Sequence, residues 1–165
     1  MPSTNSLFDI RVVIHEVRSV GNVASLFRTA EGAGVSHMYL AGITPAPLDR
    51  FGRLRKDFSK VSLGSEKIIP YDSVADIEPT LGELKKEGFC VVGLEQGERS
   101  VDYRTFEVGE KRKLALVVGN EVLGLPQNIL NLCDSVIDIP MRGRKESLNV
   151  TVATGIALYK LTEAR

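Results

Sequence analysis

Apolar positions along the chain repeat with two periods, and the two alternate. Residues 10–17, "IRVVIHEV", are rich in β-branched side chains and predict a first strand. The following "NVASLFRTAEGAG" puts Val23, Leu26, Phe27 and Ala30 on one helical face, with Asn22 as the N-cap and glycines at its end. "HMYLAG" predicts a second strand. A long polar stretch, "ITPAPLDRFGRLRKDFSKVSLGSE", has no clear period and carries most of the local positive charge. "KIIPY" reads as a short strand, and "SVADIEPTLGELKKEG" as a helical region whose N-terminal part is set off by Pro79. "FCVVGLE" and "LALVVGN" are continuous apolar runs, the pattern of strands covered on both faces. "PQNILNLC" predicts a short helix, "SVIDIP" the last strand, and residues 147–163 the last helix. On that helix Leu148, Val152, Ile156 and Tyr159 share one face. Strands alternating with helices imply an α/β protein with a mainly parallel sheet.

The last helix has an odd beginning. Ser147, Asn149 and Thr151 crowd its first turn, and Arg142, Arg144 and Lys145 stand just before it. Taken alone, Ser147 is an ordinary N-cap, its hydroxyl accepting an orphan amide. In parallel α/β folds, however, ligands bind at the carboxyl ends of strands. Three notable segments fall there: "GNVASLFRTA", "VGNEVLG" and "IPMRGRKESLN".

Composition narrows the class. The 165 residues suit one domain, with 43% hydrophobic and 25% charged residues. No apolar run is long enough to span a bilayer, and "MPSTNSLFDI" lacks the form of a secretory leader, so a cytoplasmic protein is expected. Cys90 and Cys133 lie in apolar contexts and read as reduced core residues; His15 and His37 read as structural. These four are too scattered to make a metal site. Net charge is zero, yet residues 1–60 carry eight Lys/Arg against five Asp/Glu, and residues 66–110 carry five against eleven. A basic face is therefore possible without a basic protein.

Familiar nucleotide loops are missing. "GNEVLG" is not followed by Lys-Ser/Thr, and no G-x-G-x-x-G opens the first βα unit. No Ser, His and acid arrangement suggests a hydrolase.

The three segments resemble, in order and spacing, the motifs of the SpoU (TrmH) family of RNA ribose 2′-O-methyltransferases, in the SPOUT superfamily. The first is "NVASLFRTAEGAGV", with Asn22 and Arg28 at the family's Asn and Arg positions. The second is "LALVVGNEVLGLP", with Gly119, Glu121 and Gly124. The third is "IDIPMRGRKESLNVTVATGIALY", with Ile139, Pro140, Met141, Ser147, Leu148 and Asn149. "KVSLGSE" is similar to the family's Lys-x-Ser-x-Gly-Ala segment, with Ser65 in place of Ala.

The resemblance implies one SPOUT domain over residues 1–165, without an appended RNA-binding domain. Its parallel sheet would carry helices on both faces and end in a deep C-terminal trefoil knot, an exception to the rule against knots. It implies S-adenosylmethionine as cofactor, held by Leu116, Val117, Val118, Gly119, Asn120, Gly124, Ile139, Pro140, Met141, Ser147 and Leu148. Glycine at 119 would let backbone approach the ligand, so Gly119→Val is expected to abolish cofactor binding with the fold largely intact. It further implies a homodimer and an RNA substrate, tRNA or rRNA.

Catalysis would fall to Arg28, Asn22, Glu121, Ser147 and Asn149. Family proposals give the arginine a base-like role, but a guanidinium holds its proton above pH ~12. Bidentate binding of the neighbouring phosphate, with stabilisation of the developing alkoxide, is the more conservative role. Asn22 would orient Arg28 or the substrate; Glu121 would organise the loops or pair with a cation. Arg50, Arg53, Arg55, Lys56 and Lys60, with Arg142, Arg144 and Lys145, are the candidate RNA contacts, positioning phosphates without reading sequence. The alternatives are an RNA-binding module of this fold without catalysis and a different α/β nucleotide-binding enzyme.

Overall fold

The computed structural model describes residues 8–163; the first residues of the segment inspected for a leader lie outside them. In chain order the elements are β1 (Asp9–His15), α1 (Val20–Ala33), β2 (His37–Ala41), α2 (Lys56–Ser62), β3 (Tyr71–Val74), α3 (Ile77–Lys86) and β4 (Cys90–Leu94). There follow β5 (Val101–Asp102), β6 (Lys113–Val118), α4 (Gln127–Leu130), β7 (Ser135–Asp138) and α5 (Val150–Leu161). The seven strands form one sheet in the order β3-β2-β1-β6-β4-β7-β5, and every neighbouring pair is parallel.

Side-chain alternation splits the interior into two cores. From β6, Leu114, Leu116 and Val118 join Ile10, Val12 and Ile14 of β1 beneath α1, α2 and α5. Ala115 and Val117 point the other way, with Val13, onto α3 and α4 through Leu81, Leu84 and Ile129. Both faces are covered, which is why the central strands are apolar throughout.

Several elements differ from the sequence expectation. Ser19, not Asn22, caps α1: its hydroxyl accepts the Asn22 amide at 3.1 Å. The polar stretch after β2 contains α2 and a 3-10 turn at Ser65–Lys67. Phe58 anchors α2 by packing edge-on against Phe27, ring centroids 5.4 Å apart. "KIIPY" is not a strand; β3 begins at its last residue, because Pro70 has no amide to donate to a ladder. Pro79 sits in the first turn of α3, capped by Asp76, where a missing N–H costs nothing.

Asn149, rather than Ser147, caps α5, accepting the Thr151 amide at 2.8 Å. That helix also turns the unexpected face inward. Thr154, Ala157, Leu158 and Leu161 are buried, whereas Val152 is 52% and Tyr159 57% exposed. Small residues at 154 and 157 let α5 lie close to the sheet, and Thr154 satisfies its own hydroxyl on the Val150 carbonyl at 2.6 Å.

Candidate active site

The carboxyl ends of β4, β6 and β7 border a cleft of about 190 Å³. Its walls are the chain after β4 (Leu94, Glu95, Gln96), the loop after β6 (Gly119 to Gly124) and the segment from Asp138 to the head of α5. Asn120 builds the middle wall. Its side-chain amide donates to the Glu16 carbonyl at 2.7 Å, and its Oδ1 accepts the amides of Val122 and Leu123 at 2.9 Å. The loop closes when the Gly124 amide reaches the Asn120 carbonyl at 2.9 Å.

This closure corrects the reason for glycine at 119. A Cβ there would lie 2.6 Å from the Gly124 carbonyl carbon and 2.8 Å from the Leu125 nitrogen, both backbone. The loop itself needs the space, so Gly119→Val would displace the wall instead of leaving the fold around the cleft intact.

Three chain-distant polar residues meet beside the cleft. The Glu121 carboxylate accepts the Ser19 amide at 3.0 Å, the Arg18 amide at 3.3 Å and the Asn22 side-chain amide at 3.4 Å. Asn22 Oδ1 in turn accepts from the Asn149 side chain at 3.5 Å. Glu121 forms no ion pair among the described residues; it takes backbone amides leading into α1, where the helix dipole favours an anion. Burial pushes its carboxyl pKa up, but the amides of Ser19 and Arg18 and the Asn22 side chain outweigh that and hold it below the ordinary value.

The sequence-chosen cofactor residues divide. Val118, Gly119, Asn120, Gly124, Ile139, Met141, Ser147 and Leu148 line the cleft, as does Glu121. Leu116 and Val117 are fully buried in β6, one in each core, and Pro140 is exposed beside the cleft without lining it. Leu94, Glu95, Gln96 and Asp138 were missed; their signal was their position at the ends of strands already recognised.

Arg28 lies elsewhere. It lines a groove between α1 and α5 with Ser25, Thr29, Gly32, Val152 and Tyr159, and its side chain forms no hydrogen bond or ion pair among the described residues. Arg142, Arg144 and Lys145 are exposed on the segment leading to α5. The other basic stretch forms a separate surface in which Arg53 pairs with Asp49 at 3.1 Å and Arg55 with Asp57 at 3.5 Å.

Charge restricts what the cleft can hold. Glu95, Glu121 and Asp138 line it, and no Lys or Arg does. Such a lining repels a nucleoside di- or triphosphate and favours a ligand bearing positive charge. Apolar Leu94, Val118, Ile139 and Leu148 supply contact for an aromatic or thioether body. No group of three His, Cys, Asp or Glu side chains among the described residues could hold a metal. None of their helices is long and apolar enough to cross a membrane.

A wholly parallel sheet whose loops after β4, β6 and β7 build one acid-lined cleft defines an α/β protein with a binding cleft at its strand ends and no phosphate loop. Within that class, residues 9–159 match the SpoU rRNA Methylase family, and the chain belongs to it. A tRNA (guanosine(18)-2′-O)-methyltransferase of Aquifex aeolicus is 33% identical over 157 residues, 95% of this chain and 70% of that protein. A putative TrmH family tRNA/rRNA methyltransferase of Staphylococcus saprophyticus is 33% identical over 144 residues, 87% of this chain and 54% of its own length. Among solved structures, an AdoMet-bound rRNA methyltransferase from Sinorhizobium meliloti superposes with a TM-score of 0.85 at 31% identity. That match covers 94% of this chain and 56% of the other. The chain thus spans about half the length of the Staphylococcus and Sinorhizobium proteins.

Proposed function

We propose that the protein is an S-adenosylmethionine-dependent methyltransferase that methylates a ribose 2′-hydroxyl in structured RNA, tRNA or rRNA. One observation carries the reading: Asn22, Glu121 and Asn149, one from each motif, join in a single hydrogen-bonded chain at the rim of an acid-lined cleft. The cofactor supplies an electrophilic methyl group on a positively charged sulfur. Backbone of the loops at 119–124 and 139–148 would hold it, Leu94, Ile139 and Leu148 would flank it, and the carboxylates would favour its charge. Ser147 and Asn149 would position the ribose at the cleft rim, where alignment for in-line attack supplies much of the rate. Arg28 would bind the adjacent phosphate through its planar fork and stabilise negative charge growing on the 2′-oxygen. Arg142, Arg144 and Lys145 would hold flanking phosphates.

The same reading includes a homodimer, supported by the exposed apolar positions of α5 around the groove that contains Arg28. Arg28 would then lie on the covered face, turned toward the partner's nucleotide. It also includes the SPOUT knot, for which the return of α5 against α1 after β7 is the supporting topology, and a cytoplasmic location beside its RNA.

Titration calorimetry with S-adenosylmethionine, followed by transfer of labelled methyl to bulk RNA and identification of the modified nucleoside, tests the proposal. Saturable cofactor binding and a labelled 2′-O-methylnucleoside are expected. Cofactor binding without transfer would identify a non-catalytic module; label on a base would overturn the ribose assignment.

A further inference from the structure

The loop between β2 and α2 carries an aromatic ring that packs into neither core. Phe51 is 65% exposed, with the Arg50 and Arg53 guanidinium carbons 4.7 and 5.0 Å from its centroid. We propose that Phe51, with Arg50 and Arg53, is a stacking platform for an unpaired RNA base, so that the protein engages its RNA at a loop or single strand instead of continuous duplex. This rests on the RNA-methylating reading above and adds to it a substrate form.

The loop is built to hold the ring still. Leu48 and Leu54 form an antiparallel bridge across its base. Asp49 accepts the Phe51 amide at 2.8 Å, the Arg53 amide at 3.0 Å and Arg53 Nε at 3.1 Å. Gly52 turns the chain at φ 75° and donates its amide to the Asp49 carbonyl at 3.0 Å. A fixed, exposed aromatic sheds little conformational freedom on binding, the property that suits such residues to recognition.

Charge selects the occupant. The two acids of this surface, Asp49 and Asp57, are already paired with Arg53 and Arg55, whereas Arg50, Lys56 and Lys60 form no ion pair among the described residues. The uncommitted charge is therefore positive and suits phosphates beside a stacked base. Position agrees as well. Because the sheet is wholly parallel, the loop after β2 leaves the same edge as the cleft walls after β6 and β7, with only β1 between β2 and β6. Continuous A-form duplex offers no unstacked base to such a ring; a loop or single strand does.

The test uses a short single-stranded RNA carrying 2-aminopurine, the same strand in duplex, and the full chain as wild type, Phe51→Ala and Phe51→Trp. The ring is exposed, so both variants should keep the wild-type thermal midpoint and cofactor affinity. Wild type should quench the single strand and bind it more tightly than duplex. Phe51→Ala should raise the single-strand Kd roughly 5- to 100-fold, the range of one base–aromatic stack, and Phe51→Trp should restore it. Equal affinity of wild type and Phe51→Ala overturns the platform and hands the surface to a protein partner; so does equal affinity for duplex. Single-strand binding through Phe51 with no methyl transfer to any RNA would sink the enzymatic reading and leave the platform standing. Transfer with an unchanged RNA KM in Phe51→Ala would do the reverse.

Discussion

Arg28 and Gly119 stand differently to the cleft, one outside it and one inside its wall. Arg28 lines the α1–α5 groove outside the cleft, so Arg28→Ala should leave S-adenosylmethionine affinity unchanged while cutting single-turnover methyl transfer about 10²–10³-fold, the usual loss for one preorganised donor. Arg28→Lys should rescue little, since an ammonium lacks the planar fork. Wild-type transfer by Arg28→Ala at saturating RNA would reduce the residue to a surface cation. Gly119 acts on the wall itself. Even Gly119→Ala adds a Cβ within 3 Å of backbone, so cofactor affinity and thermal stability should fall together. Loss of affinity at an unchanged midpoint would mean that the ligand, and not the loop, needs the space. At this scale Asn22, Glu121 and Asn149 stood out in the sequence because each falls in a recognisable motif. The sequence did not show that they touch: a hydrogen bond between residues 22 and 149 depends on the whole sheet being assembled.

Among elements, α1 depends most on chemistry from elsewhere. Glu121 accepts the Arg18 and Ser19 amides just before the helix, so Glu121→Gln, which keeps an acceptor but removes the charge, should lower the thermal midpoint. The pH dependence has a definite sign. Because its native pKa lies below the ordinary value, the carboxylate's contribution is complete above that ordinary value and is lost as pH falls through the depressed one. The gap between wild type and Glu121→Gln should therefore be widest at neutral pH and close in acid. A gap independent of pH in a series of melts would rule the carboxylate out as its source. Elements with strong periods, such as β4, β6 and α1, were legible in the sequence. Helix α2 was not, because it is only seven residues long and buries just Phe58 and Ser62. The face of α5 misled for the opposite reason: its exposed side is as apolar as its buried one, and periodicity cannot choose between them.

For the whole molecule, that second apolar face argues for another copy. Val152, Tyr159 and the groove beside Arg28 form a surface a monomer would leave wet. Sedimentation at micromolar concentration should show a dimer, and Val152→Asp should yield a folded monomer with weakened methyl transfer; a wild-type monomer would remove the dimer from the proposal. The parallel α/β class could be read from alternating periods alone. Strand order could not, since no local signal tells β1 that its neighbour is β6, with Asp9 opposite Lys113.

That pairing sets the timetable on which the protein forms. The β1–β6 pairing in the middle of the sheet joins segments roughly a hundred residues apart, Asp9 opposite Lys113, so the two halves of the sheet cannot join until most of the chain is present. Closing such long loops before any reward arrives is the slow route to a native state. Refolding from denaturant should thus take milliseconds to seconds and not microseconds. The cleft, whose walls are drawn from Leu94 through Ala153, should gain ligand affinity only in the final phase. A ribosome-stalled chain ending before α5 should carry β1 and α1 and yet bind no methyl donor, which makes cofactor binding a readout of completed folding.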